Sequence, residues 1–154
     1  MGLALKKLFT VTVAVSAPIV VGQNAEVGRR QLIPIESGTV EGENFRGTVL
    51  PGGVDSQVIR PNGVCELSAR YAVRLEDGRS FYVENNGLRS VPEAYTQAVL
   101  NGEFVDPSLY YFCTKPEIEV YDDSLAWMKK KMLVCGARRL PSEVQIDYFT
   151  VEQD

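Results

Sequence analysis

The chain has 154 residues, of which 45% are apolar, and its formal net charge is −4. This length and apolar content are typical of one compact domain, so we expect a single domain over residues 1–154. The acidic balance argues against binding to nucleic acid or to an anionic membrane surface, because both need a concentrated basic patch.

The sequence contains no histidine and only three, widely spaced cysteines. The lack of histidine excludes Ser-His-Asp and Cys-His nucleophiles and the usual zinc and copper sites. An odd cysteine count without a CxxC pair favours a reducing compartment. We therefore expect a cytoplasmic protein that uses no metal or cofactor, with any chemistry carried by carboxylates, tyrosines, lysines or arginines.

The first apolar run, Lys6 to Gly22, permits two interpretations. Two lysines, an apolar stretch and the small residues of Ala-Val-Ser-Ala resemble a secretory signal peptide. The alternation of Phe9, Val11 and Val13 with threonines is typical of a β-strand. The run is too often interrupted to cross a bilayer.

The rest of the chain alternates apolar and polar residues with a period of two, which predicts short strands. Including the first run, strands are expected over residues 8–15, 31–35, 38–41, 45–50, 54–59, 64–76, 80–85, 109–114, 118–121, 132–138 and 144–151, with a loop over 22–30. A helix is predicted from Pro92 to Leu100, stopped by Asn101-Gly102, and a helical turn is predicted to end at Trp127. Many short strands with closely spaced turns indicate an antiparallel meandering barrel or sandwich.

Two turns, Arg60–Gly63 and Glu76–Arg79, predict consecutive hairpins. If Ile59 pairs with Val64 and Leu75 with Ser80, one face of the resulting three-stranded sheet is polar. That face would carry Asp55, Gln57, Glu66, Ser68, Arg70, Arg74 and Asn85. It is either simply exposed to solvent or lines a pocket in which Asp55, Arg70 and Asn85 converge.

Two aromatic residues also have alternative interpretations. Tyr111 points to the opposite side of its strand from its neighbours, so it either packs against other rings or presents a phenol to a pocket. Trp127, the single tryptophan, is expected to form part of the core or a cavity wall.

The order of several short motifs resembles domain-of-unknown-function family 3237. These motifs are GRR (28–30), SGTVEG (37–42), GTVLPGGVD (47–55), RPNG (60–63), ARY (69–71), DGR (77–79), YVENNGLR (82–89), DPSLYYF (106–112) and AW (126–127). The resemblance extends over nearly the whole chain. It implies a self-associating β-barrel similar to lipocalins and allene oxide cyclases, with a central cavity. Some fungal relatives resemble cofactor-free cyclases that form cyclic ethers.

The resemblance also implies a set of functional positions: Asp55, Arg70, Tyr71, Tyr82, Asn85, Gly87 and Arg89. Three of them fall on the polar face, which favours the pocket. This chain departs from the family pattern at Ser56, Ser68 and Cys113, where many relatives have tryptophan, an acidic residue and arginine. That difference implies either a bulkier apolar substrate or a lost activity.

We therefore expect a cofactor-independent cyclase that adds a hydroxyl to an alkene or quinone-methide carbon of an apolar, prenylated phenol-like substrate. Asp55 would be the carboxylate, Tyr111 a proton donor, and Arg70 with Asn85 an electrostatic clamp. Further substrate contacts are expected from Gln57, Tyr71, Tyr82, Arg89 and Trp127. The alternatives are a non-catalytic carrier of an apolar molecule and a purely structural oligomer. A homo-oligomer, either dimer or tetramer, is expected in each case.

The resemblance also bears on the N-terminal run, because relatives begin with a similar strand. Pro18 is a poor residue after a cleavage site. We thus expect residues 8–15 to form the first strand and the mature protein to retain it.

Overall fold

The computed structural model describes residues 2–154 and shows an antiparallel β-barrel, which confirms the predicted fold class. Its strands are β1 (Leu3–Val15), β2 (Ile19–Asn24), β3 (Gly28–Gly42), β4 (Arg46–Val49), β5 (Gly53–Ile59), β6 (Val64–Leu75), β7 (Ser80–Ser90), β8 (Tyr111–Val120), β9 (Leu133–Leu140) and β10 (Glu143–Gln153). β1 pairs with both β10 and β3, and this second pairing closes the ring.

Short strands β4 and β5 together occupy one position in the wall, between β3 and β6. β4 bridges these two strands at one end of the barrel, and β5 bridges them at the other. β2 pairs with β3 beyond the segment that β1 covers. Each of these arrangements depends on the length of β3, which runs unbroken through the predicted break at Ser37-Gly38.

Other predicted segments also differ from the structure. The expected loop over residues 22–30 contains the end of β2 and the start of β3. β8 continues through Pro116, where two strands had been expected. The helical turn at Trp127 is a longer 3₁₀ helix, Asp123–Lys130, and a second 3₁₀ helix covers Pro107–Leu109.

The remaining helix, α1 (Glu93–Leu100), lies where it was predicted. Within residues 2–154, no helix is both long and apolar enough to cross a membrane.

The first hairpin turn does not have the predicted register. Gly63 has a φ of +88°. Its N–H donates to the Arg60 carbonyl, while the Arg60 N–H donates to the Val64 carbonyl. This is the pattern of a turn followed by a G1 bulge, which adds one residue to the strand. Ile59 therefore pairs with Cys65, and the predicted pairing with Val64 is wrong by one residue.

The second hairpin turn repeats this arrangement. Gly78 has a φ of +93°, and Ser80 pairs with Arg74 where Leu75 was predicted. A slip of one residue moves every side chain of a strand to the other face. Because the error occurs at both edges of β6, the side chains of β6 lie on the opposite face from the one predicted relative to both β5 and β7. Residues of β5 and β7 that were predicted to share a face therefore still share it.

One end of the barrel interior is filled by aromatic and aliphatic side chains. The Phe9 ring lies 4.8 Å from that of Phe45, 6.0 Å from that of Phe81 and 4.6 Å from that of Tyr148, measured between centroids. Leu125 of the Asp123–Lys130 helix is also buried in this core. We call this region the closed end. The opposite end contains a cavity.

Candidate functional site

The open end of the barrel contains an outer chamber of about 410 Å³ and a smaller inner chamber of about 40 Å³ below it. The end of α1, near Leu100, and the β9–β10 turn lie at the mouth. Asp55 and Phe112 line both chambers and so mark their junction. A groove of about 490 Å³ lies beside α1, between it and the β2–β3 turn, but Asp55, Gln57 and Asn85 do not line it.

A chain of side-chain hydrogen bonds holds Asp55 at this junction. Gln31 and Gln57 are opposite each other on β3 and β5, and Gln31 Nε2 donates to Gln57 Oε1 at 2.8 Å. Gln57 Nε2 donates to Asp55 Oδ2, also at 2.8 Å. Both glutamines are buried. One carboxylate oxygen is therefore held by Gln57, while the other, Oδ1, is buried without a hydrogen-bond partner among residues 2–154.

The environment of Asp55 favours its protonated form. Burial raises the pKa of the Asp55 carboxyl, and the Gln57 hydrogen bond and the Arg89 charge offset only part of that rise. A carboxyl whose pKa is raised in this way is protonated more readily than an ordinary aspartate, which suits it to general acid–base chemistry.

Three arginines line the outer chamber from three different strands: Arg29 on β3, Arg89 on β7 and Arg139 on β9. Arg89 is only 6% exposed, and its guanidinium lies over the Phe112 ring at 5.5 Å from the centroid. Burial lowers the pKa of Arg139, and the positive charge of Arg89 lowers it further. The Arg89 charge thus acts on both Asp55 and Arg139, two residues that line this chamber.

Apolar residues surround a few polar groups in the inner chamber. Tyr71 lines it, and the Tyr71 and Tyr148 hydroxyls share a hydrogen bond. Burial raises the pKa of both phenols. Asn85 Nδ2 donates to Cys135 Sγ at 3.9 Å, and burial raises the pKa of that thiol to about 12. The thiol is therefore protonated at neutral pH.

The buried polar atoms that lack partners among the described residues all belong to residues that line these two chambers. Within residues 2–154, five buried side-chain nitrogen or oxygen atoms have no hydrogen-bond partner. They are Arg29 Nε, Asp55 Oδ1, Asn85 Oδ1, Arg89 Nε and Thr114 Oγ1, and each belongs to a residue that lines a chamber. Buried polar groups are normally paired. The grouping of such residues around two chambers indicates a site for a polar ligand.

Five of the residues selected from the sequence meet in this cavity. Asp55 and Asn85 face inward together, as the relation of β5 to β7 predicted, and the family pattern also supplies Tyr71 and Arg89. Gln57 joins them through its hydrogen bond to Asp55.

The other four lie elsewhere. Arg70 is on the outer face, where its side chain is 56% exposed and forms an ion pair with Glu84 at 3.2 Å. The predicted convergence of Arg70 with Asp55 was wrong, because the bulge in each turn reverses β6. Tyr82 alternates to the outer side of β7, between buried Phe81 and Val83.

Tyr111 and Trp127 are also outside the cavity. Tyr111 is 56% exposed, while its neighbour Phe112 points inward. Trp127 is 39% exposed and packs against Phe45 at the closed end, at a centroid distance of 6.3 Å. Neither can act as a proton donor or a contact within these chambers.

The departures from the family pattern also lie outside the cavity. Ser56 and Ser68 are paired on the outer face of β5 and β6, where Ser56 accepts a hydrogen bond from Arg30. Cys113 lies between inward-facing Phe112 and Thr114 on β8. These three differences from the family pattern therefore do not alter the lining of the cavity.

Sequence reasoning missed several residues of the site: Arg29, Gln31, Thr114, Arg139 and Tyr148. Gln31 gave a usable signal, since it shares the face of Ile33 and Ile35 in a predicted strand, a position where an apolar residue is normal. Arg29 belongs to the GRR motif (28–30) of the family resemblance, but its segment was predicted to be a loop, so alternation assigned it to no face.

Comparison with known proteins agrees with this architecture. Residues 3–151 match the model of a protein family of unknown function, DUF3237. The chain belongs to this family. It is 54% identical over 146 residues to a UPF0311 protein of Clostridium acetobutylicum, covering 95% of this chain and 92% of that protein.

Two solved structures extend the comparison. A β-barrel-like protein from Acinetobacter baumannii has a TM-score of 0.84 at 27% identity, with 99% of this chain and 98% of that chain covered. An enzyme from Penicillium herquei has a TM-score of 0.72 at 16% identity, with coverage of 99% and 96%. At that identity the similarity shows the fold alone.

Proposed function

We propose that this protein is a cofactor-independent cyclase. It would bind an apolar, oxygenated small molecule in the outer chamber and form a cyclic ether by adding a hydroxyl to an alkene or quinone-methide carbon. The observation that supports this proposal is the Asp55 carboxyl, which has one oxygen held by Gln57 and the other unpartnered among residues 2–154, at the junction of two chambers.

A single carboxyl is sufficient for such a ring closure. Protonated Asp55 gives its proton to one alkene carbon, while the substrate hydroxyl oxygen forms a C–O bond to the adjacent carbon. The hydroxyl proton then passes to the Asp55 carboxylate, which regenerates the acid. Substrate and product are isomers, so the reaction consumes no other reactant. The raised pKa of Asp55 favours the protonated acid that this step uses.

Asn85 and Arg89 are placed to assist this carboxyl. Arg89, whose charge acts on Asp55, takes the electrostatic role that was predicted for Arg70. The chamber walls include Ile33 and Val144. Such walls hold a flexible substrate in a folded conformer and exclude water, and both effects accelerate an intramolecular reaction.

The test is incubation of the purified protein, without cofactor, with prenylated phenols that carry a pendant alkene. We expect cyclic ether products, detected by chiral liquid chromatography with mass spectrometry. Asp55→Asn should lower the rate by about 10²- to 10⁴-fold, the usual contribution of a general acid or base. Asp77→Asn, which alters an exposed turn, is the matched control and should leave the rate unchanged.

Tight binding of these phenols with no turnover would contradict the cyclase and support the alternative, a non-catalytic carrier. The homo-oligomer and the cytoplasmic location stay predictions, and size-exclusion chromatography with light scattering would test the first.

A further inference from the structure

The three arginines of the outer chamber have no anionic partner of their own. Within the described chain, 2–154, none of Arg29, Arg89 and Arg139 forms an ion pair. Within residues 2–154, the Nε atoms of Arg29 and Arg89 are also buried without a hydrogen-bond partner. A buried guanidinium is normally paired, because its desolvation is costly.

The carboxylates that line the chamber do not balance this charge. They are Asp55, which is bound to Gln57 and favours its protonated form, and Glu143, which is exposed at the mouth. Three permanently positive groups therefore face one carboxyl inside and one at the rim. An anionic ligand in the chamber would supply the missing partner.

We propose that the outer chamber is a carboxylate-binding site, in which Arg29, Arg89 and Arg139 hold the acid group of an otherwise apolar molecule. The planar guanidinium matches a carboxylate through paired N–H donors. The apolar body of the ligand then lies against chamber walls such as Ile33, Leu140 and Val144.

The geometry of Arg89 supports its part in this site. The Phe112 ring lies under its guanidinium, with Cζ 5.5 Å from the ring centroid, and this contact restricts the movement of the group. Arg89 is also 94% buried, as its 6% exposure implies. A side chain held in this way is already ordered before a ligand binds, which lowers the entropic cost of binding.

The part of this inference that concerns turnover rests on the proposed function. A carboxylate held by the arginines would place the apolar body next to Asp55, where the two chambers join. The substrate of the cyclase would then be an apolar acid whose hydroxyl and alkene lie on the far side of its acid group.

Calorimetric titration with two matched, unreactive probes tests the site. We expect 2-naphthoate to bind at least about tenfold more tightly than 2-naphthamide, since a charge-assisted hydrogen bond replaces a neutral one. Arg89→Gln and Arg29→Gln should each reduce this preference several-fold. Arg29 is less buried than Arg89, so it supplies the test if the Arg89 variant does not fold.

Arg30→Gln is the matched control. Arg30 adjoins Arg29 on β3 but is exposed on the outer face, where it donates to Ser56. Its replacement should leave the preference for naphthoate intact. Equal affinity for the acid and the amide would overturn the proposal, as would equal losses in the Arg29 and Arg30 variants.

These measurements need no turnover, so they separate the two proposals. A lost preference for naphthoate would remove the carboxylate site and leave ring closure to be tested on neutral phenols. A retained preference with no cyclisation of any substrate would support the site and contradict the cyclase.

Discussion

At the closed end of the barrel, Phe9, Phe45 and Phe81 fill the interior with ring contacts. At the open end, Asp55 and Arg89 lie in the same interior with polar atoms that lack partners among residues 2–154. The first arrangement buries apolar surface and stabilises the fold. The second costs stability, because buried polar groups without partners lose their hydration. The same wall of strands thus supports a core at one end and a site at the other.

The boundary between the two ends lies at the Tyr71–Tyr148 hydrogen bond. Tyr148 stacks on Phe9 in the core, and Tyr71 lines the inner chamber. The bond satisfies both hydroxyls at the point where the packing changes from apolar to polar. We therefore expect substitutions at the closed end and at the open end to affect stability differently.

The largest effect is expected at the closed end. Phe9→Ala removes a ring that contacts three others, and it should lower the free energy of unfolding by about 3–5 kcal/mol. Urea denaturation measures this loss. Leu5→Ala on the same strand, where Leu5 is exposed, should cost no more than about 0.5 kcal/mol. Similar losses in both variants would contradict the assignment of the core.

A smaller effect of opposite sign is expected at the open end. Because burial raises the pKa of Asp55, the folded state favours the protonated carboxyl. The stability that this preference contributes is complete below the ordinary pKa of aspartate. It is lost as the pH rises through the higher pKa of the folded state. Asp55→Asn cannot ionise, so it should be more stable than the native protein at neutral pH.

Thermal unfolding from about pH 3 to about pH 8 measures this difference. The Asn variant should have a Tm a few degrees higher at neutral pH, and the gain should disappear in acid. Asp77→Asn should show no such gain, because the hydrogen bonds from Arg79 lower the pKa of Asp77. A Tm gain of the Asp55 variant that persists in acid would argue against an ionisable origin.

The smallest effect is expected outside both ends. Arg70→Gln breaks an exposed ion pair with Glu84 and should change stability by no more than about 1 kcal/mol. It should also leave the affinity for 2-naphthoate unaltered. A large loss of either would place Arg70 inside the barrel and contradict the observed register of β6.

The local pattern of the sequence determined much of the fold. A period of two and Gly-containing turns place most strands, and Pro92 and Asn101-Gly102 bound α1. Asp55 and Asn85 were correctly placed on one face, because the register errors at the two edges of β6 cancel when β5 is compared with β7. Tyr71 and Arg89 came only from the resemblance to the family, since alternation alone placed Tyr71 on the other face.

The tertiary structure decided which face of β6 is inside. Each bulge is a backbone conformation at one glycine, Gly63 or Gly78, and apolar alternation does not specify whether a turn adds a residue. Only closure of the ring brings Arg29 and Arg139 to the same chamber as Arg89, because they come from strands far apart in the chain. The sequence by itself determined most strands and identified the Asp55 carboxylate. Long-range strand pairing decided which charged side chains surround Asp55.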